Sequence, residues 1–227
     1  FRPLRMEFVF GQNGLSPIVL ELGDGTFVYL QGRIDRVDVM TGGGLRVIDY
    51  KSGARKFDPT LVYWGLQLQL LLYLAAALSR VPGSHAAGFF YCRIADPTVK
   101  TESHIREEVE KQIAKKLSLQ GISLSDVAIL RAQGGNIASM VTRDGKPNGR
   151  YAASMVDEAG MEKLLDFGKR KAAELAGEIY RGEMDDLPVE RGAFNACQNC
   201  EYSAICAFDP MRKPRRRLAA KKLDDLL

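Results

Sequence analysis

Short runs of apolar and β-branched residues at 5–10 and 17–22, bounded by turn formers, predict two strands. Phe27–Met40, rich in Val, Ile and Tyr, predicts one longer strand, and Gly42-Gly43-Gly44 then predicts a turn. Leu45–Lys51 follows as a second strand, so the two form a hairpin. Asp58-Pro59 is a helix start, and residues 60–79 carry Leu, Gln and Ala with Gly65 as the one breaker, which predicts a single long, mostly buried helix. Ala86–Ile94 returns to strand character, and residues 103–117 mix Glu, Lys and apolar groups at helical spacing. A short helix is expected near 123–132, and Gly134–Gly149 is loop-rich with room for a small strand. Residues 157–181 form a second long helix. Asp157 and Glu158 suit its positive end, Met161, Leu164, Leu165, Leu175 and Ile179 keep the helical period, and Gly182 stops it. The fold class is therefore α/β: a central mixed sheet flanked by helices, with a cysteine-bearing appendage at residues 194–210.

Composition narrows this picture. Of 227 residues, 46% are apolar and 26% charged, an ordinary globular balance that can build a core without disulfides. No apolar run reaches the roughly 18–20 residues of a membrane span. The longest, Leu66–Leu78, is broken by Gln67 and Gln69. Phe1–Phe10 carries Arg2, Arg5 and Glu7 and has no signal-peptide pattern; it opens inside a strand-like phrase without Met, and so reads as part of a longer chain. The net charge is +4, and seven Lys or Arg against Asp224 and Asp225 concentrate it in residues 211–227. That tail is either a phosphate-contacting arm or a solvated charge run. Three of four cysteines, Cys197, Cys200 and Cys206, fall within ten residues, while Cys92 stands in an apolar strand phrase as an expected core thiol. Without a secretory signal, the cluster points to metal or iron–sulfur ligation.

The chemistry centres on the hairpin. Side chains alternate along a strand, so Asp49 and Lys51 project from one face. Asp35 lies on the neighbouring strand of the same hairpin. Two carboxylates and an ammonium then converge, and hard oxygen ligands suit Mg²⁺ or Mn²⁺. Such an ion would acidify a water and stabilise charge on a phosphate, with Lys51 as an electrostatic helper. The competing reading is an exposed strand face. The apolar flanks Leu45, Val47, Ile48 and Tyr50 argue instead for a central strand, where Asp and Lys need partners. Gln69 and Tyr73 sit one turn apart in an apolar helix and need partners too; Lys51 or a DNA phosphate would serve.

Gly32-Arg33-Ile34-Asp35, Ile48-Asp49-Tyr50-Lys51-Ser52-Gly53 and Gln69-x-x-x-Tyr73, in this order, resemble the RecB-type branch of the PD-(D/E)xK nuclease superfamily. With Tyr63-Trp64-Gly65-Leu66-Gln67 and the phrase Cys197 to Pro210, the likeness extends to the nuclease domains of AddAB-type helicase–nuclease B subunits and covers essentially the whole chain. The resemblance implies a restriction-endonuclease-like fold and a bacterial, cytoplasmic, nucleoid-associated protein processing double-strand-break ends for recombination. Its partners would be DNA, with single-stranded ends as substrate, and a helicase subunit. It implies Asp35 and Asp49 as ligands of Mg²⁺ or Mn²⁺, Lys51 as catalytic, Gln69 and Tyr73 as accessory catalytic residues, and Cys197, Cys200 and Cys206 as ligands of a 4Fe-4S cluster. On this reading residues 1–193 are an N-terminally truncated nuclease core, 194–210 the cluster knuckle and 211–227 the basic tail.

Two family features lack a counterpart. An additional metal ligand, often His, precedes the first strand in the family, whereas His85 and His104 lie elsewhere; the fourth cluster cysteine is also upstream in the family. The piece alone is therefore expected to carry no intact cluster and to have weak activity, with its catalytic strands still formed. As a bare pattern, Cys-x2-Cys-x5-Cys also permits zinc. A catalytically silent DNA-end-binding module and a zinc-knuckle DNA-binding protein stay open as alternatives. No Gly-x4-Gly-Lys-Ser/Thr occurs, so an ATP-driven motor would lie elsewhere.

Overall fold

A computed structural model describes residues 1–13, 15–94, 98–99, 106–183, 187–191, 194–198, 200–206 and 208–227. His104 and the first residues of the helix expected over 103–117 lie outside these.

The chain begins with β1 (Arg2–Phe10), followed by the pair β2 (Ile18–Glu21) and β3 (Phe27–Leu30). Next comes the hairpin of β4 (Gly32–Val39) and β5 (Gly44–Lys51). A crossover of α1 (Pro59–Tyr63) and α2 (Gln69–Arg80) leads to β6 (His85–Arg93). Then follow α3 (Arg106–Lys116), β7 (Gln120–Leu124), α4 (Val127–Gln133), α5 (Gly135–Ala138), β8 (Met155–Val156) and α6 (Glu158–Tyr180). The C-terminal part adds β9 (Val189–Arg191), β10 (Phe194–Asn195) and β11 (Arg216–Arg217), and a 3-10 turn over Leu223–Leu226. The main sheet runs β1-β4-β5-β6-β7-β8, with β5 parallel to β6 and antiparallel to β4.

Two single elements expected from the sequence are broken in the structure. Phe27–Met40 is not one strand: β3 pairs with β2 in a separate two-stranded sheet, while β4 joins the main sheet. The switch falls at Gly32, where a Cβ would stand 2.8 Å from the Phe10 ring. Residues 60–79 are not one helix either. α1 starts at Asp58, whose carboxylate accepts from the Thr60 N–H at 2.9 Å, and stops because Gly65 turns left-handed at φ 79°. A β-carbon there would also lie 2.5 Å from Leu175 Cδ1 on α6. The helix expected over 123–132 starts at Val127, since Ser123 and Leu124 end β7. The stretch 134–149 holds α5 and a single bridge between Val141 and Pro147.

The hairpin forms as expected, with Val37 opposite Val47 and Val39 opposite Leu45, and Gly42 (φ 97°) and Gly43 (φ 88°) making the turn. α2 covers one face of the sheet and α6 packs behind it. The two helices approach closely at Gly168, where a Cβ would meet Leu71 Cβ at 2.9 Å. Leu70, Leu71, Leu74, Val47, Phe89 and Leu164 belong to this core. On the other face Phe90 packs with Leu130, Ile137, Met140 and Met155. Ile179, though in phase on α6, is exposed. The C-terminal segment is docked rather than free, with Leu223 and Leu226 buried in the main core. Among the described residues no helix is long and apolar enough to cross a membrane.

Candidate active site

The ladder between β4 and β5 ends at Arg36 opposite Ile48. Beyond that point the Asp35 carboxylate takes over, its Oδ2 accepting the Tyr50 N–H at 2.8 Å. On the other side of β4, Met6 and Phe8 of β1 pair with Arg36 and Ile34, with Glu7 between them at φ 52°. Ile34 and Val37, three apart on β4, both enter the core.

Asp49 and Lys51 stand at the C-terminal end of β5. Asp49 is only 2% exposed, and the Lys51 ammonium lies 2.6 Å from its Oδ2. That ion pair is the one contact recorded at Oδ2, which is otherwise buried without a hydrogen bond among the described residues. The ammonium also donates to Gln69 Oε1 at 3.1 Å, and Gln69 Nε2 donates to the Tyr73 hydroxyl at 2.9 Å. The break before α2 makes this chain of contacts fit, because Gln69 becomes the first residue of the helix and faces the strand end. Burial raises the Asp49 pKa; Lys51 opposes it, Asp35 adds to it and Arg55 pulls it down. The Asp35 carboxylate, bound to the N–H of Tyr50 next in the chain, is close enough to act on Asp49.

Three further residues belong to this patch. Tyr91, opposite Asp49 on β6, is buried, and its phenol is pushed up to about 12 by that burial, with Arg55 and Gln67 pulling down and Asp49 pushing up. The Lys51 ammonium and the Arg55 guanidinium each sit 5.9 Å from the Tyr91 ring centre. Buried Gln67 ties the loop together, accepting from the Asp58 N–H at 2.8 Å and donating to the Lys56 carbonyl at 2.9 Å. Strand alternation along β6, with Phe89 and Tyr91 on one face, is the signal that would have included Tyr91. Asp38, the other carboxylate of β4, is fully buried and held by Arg36 at 2.6 Å and Arg46 at 2.8 Å, so it is committed to the fold.

Over residues 1–207 the chain matches the family model described as the PD-(D/E)XK nuclease superfamily. The chain belongs to that superfamily. It is also similar to the B subunit of the ATP-dependent helicase/deoxyribonuclease of Alkaliphilus metalliredigens (38% identical) and to that of Moorella thermoacetica (38%), each over 92% of this chain and 20% of the relative. The protein of the same name from Clostridium tetani is 37% identical over 100% of this chain and 21% of its own length. The chain thus spans about a fifth of these relatives.

In this PD-(D/E)XK chain the oxygens present suit a hard divalent cation. Asp49 Oδ2 is buried with only the Lys51 ammonium against it, Asp35 binds the N–H of the next residue, Tyr50, and Mg²⁺ needs one or two carboxylates with water and phosphate completing its shell. Among the described residues no three His, Cys, Asp or Glu side chains gather as a metal group.

The cysteines do not form one either. Cys197 and Cys200 are half-buried, Cys206 is exposed, and turns hold the segment through Cys200 N–H to Cys197 O (3.3 Å) and Cys206 N–H to Tyr202 O (2.9 Å). As arranged, among the described residues, the three do not gather as a metal group. Cys92 corrects the expectation of a core thiol. It is half-buried on the face of β6 away from Tyr91, and burial raises its pKa. His85 is exposed at the start of β6, at the end of the strand away from Asp49.

Proposed function

We propose that this PD-(D/E)XK domain is the DNA-cutting part of a helicase–nuclease complex. It would hydrolyse phosphodiester bonds in single-stranded DNA ends during the processing of double-strand breaks for recombination. The observation that carries this reading is Asp49: a buried carboxylate ion-paired with Lys51, next in the strand to Tyr50, whose N–H the Asp35 carboxylate accepts. The relatives are named as one subunit of an ATP-dependent helicase/deoxyribonuclease, which supports both the substrate and the helicase partner.

Asp35 and Asp49 would hold Mg²⁺ or Mn²⁺. When bound, such a cation supplies Lewis-acid charge to the scissile phosphate and acidifies a neighbouring water. The remaining work falls to the chain. Asp49 must be ionised, and the Lys51 charge opposes the burial that would protonate it. Gln69 and Tyr73 fix the Lys51 ammonium at one place, where it can meet a phosphate oxygen without searching rotamers. Tyr91, with its pKa near 12, stays a neutral phenol at working pH.

Cys197, Cys200 and Cys206 are assigned to a 4Fe-4S cluster in the full-length protein on their spacing and the family likeness. A fourth ligand and a rearrangement of residues 197–206 would accompany binding. Iron and sulfide analysis of the full-length protein purified without oxygen, with Cys200→Ser as control, tests the assignment; stoichiometric zinc would replace it.

For the nuclease reading, Asp35→Ala, Asp49→Ala and Lys51→Ala in the full-length protein are expected to lower Mg²⁺-dependent cleavage of single-stranded DNA by at least about a hundredfold. Normal cutting by all three would place the active site elsewhere. A wild-type protein that binds DNA ends and never cuts them would be the silent end-binding module.

A further inference from the structure

One strand away from Lys51, the same end of the sheet carries a second feature that the cleavage chemistry does not use. Arg93 stands opposite Lys51 in the parallel β5–β6 register, so the two backbones are about 5 Å apart and their side chains share a face. Arg93 lines a cavity of about 190 Å³ together with Arg55, Lys56, Lys115 and Lys116. Among the described residues five cations line this pocket and no carboxylate does. Among the described residues none of the five is ion-paired with an acid: Lys116 donates to the neutral Thr98 carbonyl, and the buried Arg93 Nε has no hydrogen-bond partner.

Five like charges around one small cavity repel one another, and a buried guanidinium nitrogen without an acceptor is left undersatisfied. An anion in the cavity relieves both. The volume falls below the roughly 300 Å³ at which drug-sized ligand pockets begin, so it suits a phosphate group rather than a nucleoside. Lys115 and Lys116 sit in the last turn of α3, where their charge also offsets the partial negative charge of the helix end. Arg55 links this cavity to the catalytic patch, since it lines the one and lowers the pKa of Asp49 and Tyr91 in the other.

We propose that this cavity binds a backbone phosphate of the strand being cut, next to the scissile one, through Arg55, Lys56, Arg93, Lys115 and Lys116. The inference rests on the nuclease reading for the strand's identity and for the KM arm of its test, while the footprint stands without it. A phosphate seated here would align the neighbouring phosphate with Lys51 and Asp49. A contact to the phosphate alone adds affinity without reading sequence.

The test is a lysine footprint on the full-length protein with a single-stranded oligonucleotide in EDTA, where no cutting occurs. DNA is expected to slow acetylation of Lys56, Lys115 and Lys116 severalfold. It should leave Lys163 unaffected, whose neighbour Glu162 lines a pocket with His85 at the opposite end of β6. Lys115→Gln/Lys116→Gln, two exposed positions whose replacement leaves the core intact, should raise KM for cleavage severalfold at unchanged kcat. It should also flatten the salt dependence of DNA binding by about 0.7 per lost phosphate contact. Equal acetylation with and without bound strand, or an unchanged KM, would overturn the proposal. Because the footprint needs no catalysis, it still reports on this cavity if the Asp49 and Lys51 variants show that cutting happens elsewhere.

Discussion

Asp49 is an acid that folding places where its charged form is disfavoured. Desolvation raises its pKa, and Lys51 only partly offsets that. The folded chain therefore holds this proton more tightly than the unfolded chain does. The resulting stability is present below the ordinary Asp value of about 3.9 and is lost as pH rises through the raised value. Asp49→Asn should accordingly raise Tm near neutral pH in metal-free buffer, and that advantage should shrink as the buffer is acidified. A lower Tm at neutral pH would mean that the Lys51 pair is net stabilising. Gln69→Leu isolates the positioning of Lys51, because it removes the ammonium's acceptor and the Tyr73 contact at once. A loss on the order of 10- to 100-fold in kcat is expected, with KM little changed, read from steady-state cleavage. A KM effect alone would make Gln69 a DNA contact instead. Strand and helix periods were enough to put Asp49 with Lys51, and Gln69 with Tyr73, on common faces. Alternation along β6 puts Tyr91 on the inward face with Phe89, but it could not set Tyr91 beside Asp49 or bring in Arg55, since the parallel register is formed by strands some forty residues apart.

Secondary-structure breaks decide how the elements meet. Sequence period alone extends one helix through residues 60–79, because Leu and Ala propensity outweighs a single glycine. The structure bends there for two long-range reasons. Gly65 sits left-handed against Leu175 of α6, and the Gln67 amide is drawn to the loop at Lys56 and Asp58. The bend is what starts α2 at Gln69. Gly65→Ala should destabilise the fold by roughly 2–4 kcal/mol, from the left-handed backbone and the overlap with Leu175. It should also lower cleavage, since the start of α2 would shift. Urea denaturation measures the first effect; a change below about 0.5 kcal/mol, the level of an ordinary surface substitution, would show that α1 and α2 tolerate a straighter path. The break in Phe27–Met40 has the same character. The strand residues were legible, but the change of sheet at Gly32 depends on the Phe10 ring, brought over by β1.

At the scale of the molecule, the α/β class and the hairpin were legible because each rests on local pattern. The return of the C-terminus was not, because its contacts span some 160 residues. Lys221 exchanges hydrogen bonds with Thr60 Oγ1 (N–H at 2.9 Å, carbonyl at 3.2 Å), and the Trp64 indole donates to the Ala219 carbonyl at 3.2 Å. Leu223 and Leu226 enter the main core, while Arg216 and Arg217 remain exposed on β11, Arg216 over the Trp64 ring at 5.7 Å. A segment that looked like a charge run thus has an apolar anchor and a basic outer face, and the two roles separate experimentally. Ending the chain at Ala220 removes both buried leucines, and each large core side chain lost costs about 2–5 kcal/mol. That truncation is expected to lower Tm sharply and to lose cleavage through unfolding, whatever the arginines do. Arg216→Gln/Arg217→Gln leaves the leucines in place, so Tm should hold. If the two arginines meet phosphates, the slope of log affinity for single-stranded DNA against log salt should flatten by about 1.4, roughly 0.7 for each contact removed. An unchanged slope with intact folding would make Arg216 and Arg217 solvated charges, and leave the segment 211–227 with its anchoring role alone.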